Sequence, residues 1–280
     1  MKKGVLIVSF GTSYREAEAQ NINPVEQAIS AALPGYEMRR AYGSRRIIKK
    51  LKERDGICID TVSEALETLA VAGCKELIVQ PTYVIHGYEY DELVEILREY
   101  LNQFESVRLG HPLLHQQSDY KELICGLNEV FDFRSSSDAF VFMGHGTGHF
   151  ANACYPALEH QIQAQGFTNV WIGTVEGYPE ITDVKEKLEQ LSCQKAILAP
   201  LMLVAGDHAR NDMAGEDEDS WKNILERDGI EADCMIAGLG SYAFVQRMFA
   251  EHALQAEEIR GFECRISIPL LQVRRALSGG

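Results

Sequence analysis

Asp138–His149 reads DAFVFMGHGTGH, an apolar run that stops abruptly at a glycine and a histidine. The run is too short for a stable helix and has the length of a strand buried on both faces. Three other stretches share this design: KAILAPLMLVAGDHA (Lys195–Ala209), KELIVQPTYVIHGYEY (Lys75–Tyr90) and NVWIGTVEGYPE (Asn169–Glu180). Each places an imidazole or a carboxylate just past a strand. In an open parallel sheet, ligands bind outside the carboxyl ends of the strands. His145, His208, Glu89 and Glu176 are therefore nitrogen and oxygen donors able to converge on one divalent ion. Imidazole with carboxylate suits first-row metals such as Co, Ni, Fe and Zn.

Working outward, short apolar runs alternate with amphipathic segments. Strands are expected at Gly4–Ser9, Glu37–Ala41, Glu76–Pro81, Ser106–Leu109, Ala139–Met143, Val170–Val175, Ala196–Pro200 and Ala232–Ile236. Helices are expected between most of them, including Pro24–Ala32, Thr61–Ala72, Tyr90–Gln103, Tyr120–Phe131, Tyr155–Gln165 and Tyr242–Gln255. This alternation predicts βαβ units and parallel sheets.

The chain also reads as a duplication. VSFGTS near the start is similar to FMGHGTG in the second half, so Gly11 and Thr12 match Gly146 and Thr147. LIVQPTYVIHGYE is similar to ILAPLMLVAGDHA, which matches Glu89 to His208. The expected architecture is α/β with two similar domains, each a four-stranded parallel sheet flanked by helices, and an active cleft between them. The domains are expected at residues 1–133 and 134–256, with the polar Arg134–Asp138 stretch at the seam. Residues 257–280 form an arginine-richer tail with no counterpart in the first half and no assigned role.

Bulk composition narrows the function. The chain has 280 residues, is 46% hydrophobic and carries a formal net charge of −14. Such an acidic chain is a poor nucleic-acid binder, because phosphate binding needs a dominant basic surface. The seven cysteines are odd in number and form no CxxC pair, which predicts free thiols in a reducing, cytoplasmic setting. The MKKGVLIVSFGTS start is too short in its apolar core for a signal peptide and reads as a first strand. No run approaches the length of a membrane span. GxxxxGK[ST], HExxH and GxSxG are absent, and the glycine-rich GHGTGH lacks GxGxxG spacing, so neither ATP nor NAD is expected.

Gly144 and Gly146 flank His145 and favour a turn that opens the imidazole to the cleft over a histidine that merely ends a strand. Asp207 and Asp212 read as helix N-caps more readily than as partners of the His208 ring. Glu89 is balanced between a helix-dipole carboxylate and a ligand. Glu176, ahead of Gly177, is the stronger carboxylate. His86 and His149 are secondary candidates for the same site. His111, His115, His160 and His252 read as structural or surface residues. A basic segment opens at Arg39 and runs to Arg54. Lys49 to Arg54 read as a solvated helix face. Arg40, Arg45 and Arg46 are assigned to a polyanionic ligand, whose carboxylates guanidinium groups grip in pairs. Ser9, Gly11 and Thr12, in the turn after the first strand, are placed with them.

SFGTS, IxxLKxRDGIxIDT, VFMGHG, VExYPE and the long PLMLVAGDHARNDMAGEDEDSWK (Pro200–Lys222) together resemble the anaerobic sirohydrochlorin cobaltochelatases of the CbiK type, from about Lys3 to Ala256. The resemblance implies a class II chelatase fold and ATP-independent insertion of Co²⁺ into sirohydrochlorin, or its oxidised form, for cobalamin synthesis. Cobalt is then a substrate. His145 and His208 match the histidines that bind metal and assist proton removal, and Glu176 and Glu89 match carboxylates of the same site. The macrocycle's carboxylates give the arginines a purpose, and Leu201 to Val204 are candidates to cover its face. The implied partner is the tetrapyrrole, with a homo-oligomer left open and neither nucleic acid nor membrane required. Three readings compete: a sirohydrochlorin chelatase for Fe²⁺ or Ni²⁺, a non-catalytic tetrapyrrole or metal carrier, and, more weakly, a metal-dependent hydrolase.

Overall fold

The computed structural model describes residues 1–259. In chain order the elements are β1 (Lys2–Ser9), α1 (Arg15–Ala17), α2 (Asn23–Ala32), β2 (Tyr36–Tyr42), α3 (Arg45–Asp55), α4 (Val62–Val71), β3 (Cys74–Pro81), α5 (Tyr88–Tyr100), β4 (Ser106–Leu109) and α6 (Gln117–Phe131). They continue with β5 (Ala139–Gly144), α7 (Cys154–Ala164), β6 (Val170–Thr174), α8 (Ile181–Gln190), β7 (Lys195–Pro200), α9 (Trp221–Arg227), β8 (Glu231–Cys234), α10 (Ala243–Leu254) and β9 (Glu257–Glu258).

The two sheets run β2-β1-β3-β4-β9 and β6-β5-β7-β8. Leaving β9 aside, the same order recurs: second strand, first, third, fourth. All pairings within those two sets of four are parallel. This matches the duplication read from the sequence. The N-terminal sheet has a fifth strand that was not expected. β9 adds antiparallel to β4, with Leu109 opposite Glu257 and Arg108 opposite Glu258. The start of the tail therefore does have a structural partner, and Ile259 extends the pairing by donating its N–H to the Val107 carbonyl at 2.9 Å. The rest of the expected tail lies outside the described residues.

Strand alternation sorts side chains into three cores. Val5 and Ile7 of β1 face one way and Leu6 and Val8 the other, all four fully buried. In β5, Phe140 and Phe142 share a core with Val5 and Ile7, while Val141 and Met143 face α8 and α9. The core containing Val5, Ile7, Phe140 and Phe142 is continuous between the two sheets. α10 belongs to it: Val245, Met248 and Phe249 are buried there, and the helix packs on α2 and α6 of the first half. A division of the chain at 133/134 thus does not coincide with a division of the core.

Candidate metal and tetrapyrrole site

β5 and β6 continue to hydrogen-bond past their ends. Val175 N–H donates to the Gly144 carbonyl at 3.1 Å and Glu176 N–H to the His145 carbonyl at 2.8 Å. This ladder carries His145 and Glu176 out side by side. The flanking glycines are forced by close approach. A Cβ on Gly144 would lie 2.4 Å from the Tyr155 ring. Gly146 has φ +78°, and a Cβ there would sit 2.6 Å from the Gly177 nitrogen. Asn152 ties the two loops together, accepting from Thr147 N–H at 3.1 Å and donating to the Tyr178 carbonyl at 2.6 Å. His208 arrives from β7, at the head of a wide helical turn over Ala209–Met213.

The donor atoms of His145, Glu176 and His208 lie within 4.8 Å of one another. The two imidazole rings meet edge to face, centroids 4.9 Å apart at 88°. His145 Nδ1 lies 3.0 Å from the Gly146 carbonyl and so carries the proton. His208 Nδ1 faces Asp212 Oδ2 in a short contact and is the protonated nitrogen too. In both rings the lone pair is left on Nε2, the form in which a neutral imidazole binds metal. Asp212 therefore acts on the ring, not as the helix N-cap expected of it. Asp207 is likewise no N-cap: it accepts from the Tyr14 hydroxyl at 2.8 Å and from Asn211 at 3.1 Å.

Both halves border this cluster. Phe10, from the turn after β1, stands 6.4 Å from the His145 ring. Tyr14 reaches across to Asp207, and Asn21 accepts from the Ala205 N–H at 3.1 Å. Phe10, Tyr88, Phe150 and Tyr178 are exposed large apolar side chains on these same loops. Sequence reading missed them. Leu201 and Leu203, expected to cover a macrocycle, are buried core instead. A strand-end leucine and a loop phenylalanine differ only in burial, which single-sequence periodicity does not show.

The other candidates divide. Glu89 is exposed in the first turn of α5 and is not one of the three grouped donors. Its charge still acts at the site's floor. Burial pushes Tyr155 up to about 12, and Glu89 pushes it in the same direction. His149 is paired with Asp91 at 3.3 Å and packs edge-on against Tyr88. His86 belongs to a different group, described below. Arg40 is a correction. It is drawn inward, where its Nε donates to Glu26 at 2.7 Å and its terminal nitrogens meet Glu18, Asn23 and Glu26. That leaves it no free face for a substrate carboxylate. Arg45 and Arg46 are exposed at the start of α3. Ser9, Gly11 and Thr12 also serve the fold. Ser9 is buried and bonded to Thr82 at 2.8 Å, and Thr12 Oγ1 accepts from the Tyr14 N–H at 3.2 Å. Gly11 (φ +99°) lies so close to Tyr42 that a Cβ would be 2.5 Å from its ring.

The profile of the cobalt chelatase (CbiK) family matches residues 3–258. A sirohydrochlorin cobaltochelatase of Salmonella typhimurium is 41% identical over 256 residues, covering 91% of this chain and 97% of the relative. A sirohydrochlorin cobaltochelatase, CbiKC, of Nitratidesulfovibrio vulgaris is 30% identical over 263 residues, covering 91% and 90%. Among solved structures, SirB of Bacillus subtilis with Fe³⁺ superposes with a TM-score of 0.62 at 13% identity, covering 91% of this chain and 95% of SirB. CbiX, a terminal enzyme of sirohaem biosynthesis in denitrifying bacteria, superposes at 0.54 with 18% identity, covering 90% and 98%. These two likenesses concern the chelatase fold alone. The profile match across nearly the whole described chain and the two close relatives show that this protein belongs to the cobalt chelatase (CbiK) family.

Proposed function

We propose that the protein inserts Co²⁺ into sirohydrochlorin without ATP, in the cytoplasm, with both cobalt and the macrocycle as substrates. The observation that supports this most directly is the convergence of His145, His208 and Glu176, with donor atoms within 4.8 Å of one another.

The reaction exchanges two pyrrole N–H protons for one divalent cation. The protein must hold Co²⁺, shed its water, present it to one face of the ring, and accept the two protons. His145 and His208 offer imidazole nitrogens and Glu176 a carboxylate oxygen, a mixed donor set suited to cobalt. As each pyrrole nitrogen takes over the ion, an imidazole loses its metal bond and becomes a free base within reach of a departing proton. Glu176, 4.0 Å from His145, would stabilise the imidazolium so formed. Glu89, on the first-half side, would take the second proton or pass it to solvent. The exposed rings of Phe10, Tyr88 and Tyr178 offer flat apolar surface against the macrocycle. Arg45 and Arg46 have no ion-pair partner among the described residues and would meet the peripheral carboxylates.

The test is metal insertion by purified protein, followed through the absorbance change of sirohydrochlorin, with Co²⁺, Fe²⁺ and Ni²⁺ compared. Co²⁺ should be inserted fastest, and His145→Ala should lower turnover by about 10²–10⁴-fold while the protein remains folded. Wild-type turnover in that variant, or binding of the macrocycle without any insertion, would refute the proposal.

A further inference from the structure

A second imidazole cluster lies in the first half, at the carboxyl ends of β3 and β4. His86 follows β3, and His111 and His115 lie between β4 and α6. One donor nitrogen from each lies within 4.8 Å of the others. His115 Nδ1 and His86 Nε2 are 3.3 Å apart. Two nitrogens each about 2.0–2.1 Å from a tetrahedral ion are themselves separated by roughly 3.3–3.4 Å. The His86–His115 pair is therefore spaced as two ligands of one ion would be, a spacing that a ring-to-ring hydrogen bond also gives.

The cluster is held by buried groups. Gln80 donates to the His111 carbonyl at 2.9 Å, and His252 Nδ1 faces the same carbonyl at 3.3 Å. One oxygen of Asp119 accepts the N–H groups of His115, at 2.9 Å, and Gln116, at 2.7 Å; its other oxygen faces His252. Gln80, Asp119 and His252 are all buried. The rings of His111 and His115 lie parallel with centroids 3.6 Å apart, and His86 packs on Tyr90 at 4.1 Å. His111 Nδ1 is buried with no hydrogen-bond partner. An unpaired buried nitrogen costs about 1–3 kcal/mol, and a bound cation is one way to meet it.

Simple packing explains the stacked rings. It does not explain why three imidazoles bring donor nitrogens within 4.8 Å of one another while buried polar groups fix the loop that carries two of them; the His111 and His115 planes are parallel, so the exposed His115 ring turns for both to bind one ion. We propose that His86, His111 and His115 form a second binding site for a first-row divalent cation, Co²⁺, Ni²⁺ or Zn²⁺, distinct from the His145, His208 and Glu176 cluster. Three imidazole nitrogens favour these ions over Mg²⁺ or Ca²⁺. His115 is exposed, which leaves the solvent side open for entry and for a water as fourth ligand.

The test isolates this site by removing the other. His145→Ala/His208→Ala protein, stripped with a chelator, is titrated with Co²⁺ and followed by equilibrium dialysis and ligand-field absorption. It should retain one saturable equivalent, which excess Zn²⁺ displaces. Adding His115→Ala should weaken that binding at least tenfold, and His86→Ala should do the same. Because His115 is exposed, its substitution should leave urea unfolding unchanged, so it decides the matter even if His86→Ala is unstable. Absence of a saturable equivalent, or binding indifferent to His115→Ala, would overturn the site. Turnover is not measured, so the outcome is independent of the chelatase reading.

Discussion

Asp212 does for His208 what the Gly146 carbonyl does for His145: each faces Nδ1 and so leaves the Nε2 lone pair free. Second partners of this kind typically contribute 10–100-fold in metal affinity. In Asp212→Asn, Co²⁺ binding at the His145 cluster should weaken by about that factor, measured by dialysis in a His115→Ala background that silences the other cluster. Unchanged affinity would show that the short contact has no bearing on the ring. The arginines separate by burial. Arg40 neutralises Glu26, whose carboxyl is raised mainly by burial and lowered by Arg40. Arg40→Ala strands that carboxylate and should cost about 3 kcal/mol in urea unfolding. Arg45→Ala and Arg46→Ala should change stability by less than about 0.5 kcal/mol. They should instead raise KM for sirohydrochlorin, more so at low ionic strength. An unchanged KM in both would reduce them to a solvated helix start.

At the scale of elements, the β5–β6 loops decide the site. Gly146 must hold a left-handed φ and also pass within contact of Gly177. Gly146→Ala adds both a conformational cost of about 1–2 kcal/mol and an overpacking cost of about 1–3 kcal/mol. Turnover should fall as well, because the loop that moves carries His145 away from Glu176. Gly229 is the control, with φ +82° and nothing within 4 Å of an added Cβ. Gly229→Ala should incur only the conformational cost and keep full turnover. Equal losses in both variants would mean that the close approach at Gly146 is unimportant. The basic run divides at this scale too. Arg39 pairs with Asp60 and Arg54 with Asp55, while Lys49 and Lys50 stay on the exposed face of α3 expected for them.

At the scale of the whole molecule, α10 closes the core shared by the two sheets. Phe244, Val245, Met248 and Phe249 are each at least nine-tenths buried. Burial of such side chains stabilises by about 1.5–3 kcal/mol each, so together they approach the whole net stability of an ordinary domain. A chain ended after Tyr242 should therefore lose cooperative urea unfolding, followed by circular dichroism and tryptophan fluorescence. A truncated chain with the parent's midpoint would show that α10 is only appended. No helix among the described residues is long and apolar enough to cross a membrane.

Local chemistry carried much of this structure. Apolar runs of strand length, glycines at their ends and the recurrence of the same pattern are written along the chain, so β1 to β8, the duplication and the strand-end placement of His145, His208 and Glu176 were legible in the sequence. The strand-end rule holds because backbone pairing stops where the ladder stops, whatever packs around it. What depended on partners far away in the chain was not legible. Arg40 turns inward because Glu18 and Glu26 of the preceding helical segments meet it. β9 pairs with β4 across most of the chain length, and α10 crosses to α2. His86 reads as a secondary candidate for the other site and His111 and His115 as structural or surface residues, and the three become a cluster only when β3 and β4 lie side by side. Sequence period sets which face a residue takes. Which groups meet across that face is decided by packing between segments, where burial, charge pairing and unmet hydrogen bonds compete only after the chain has folded.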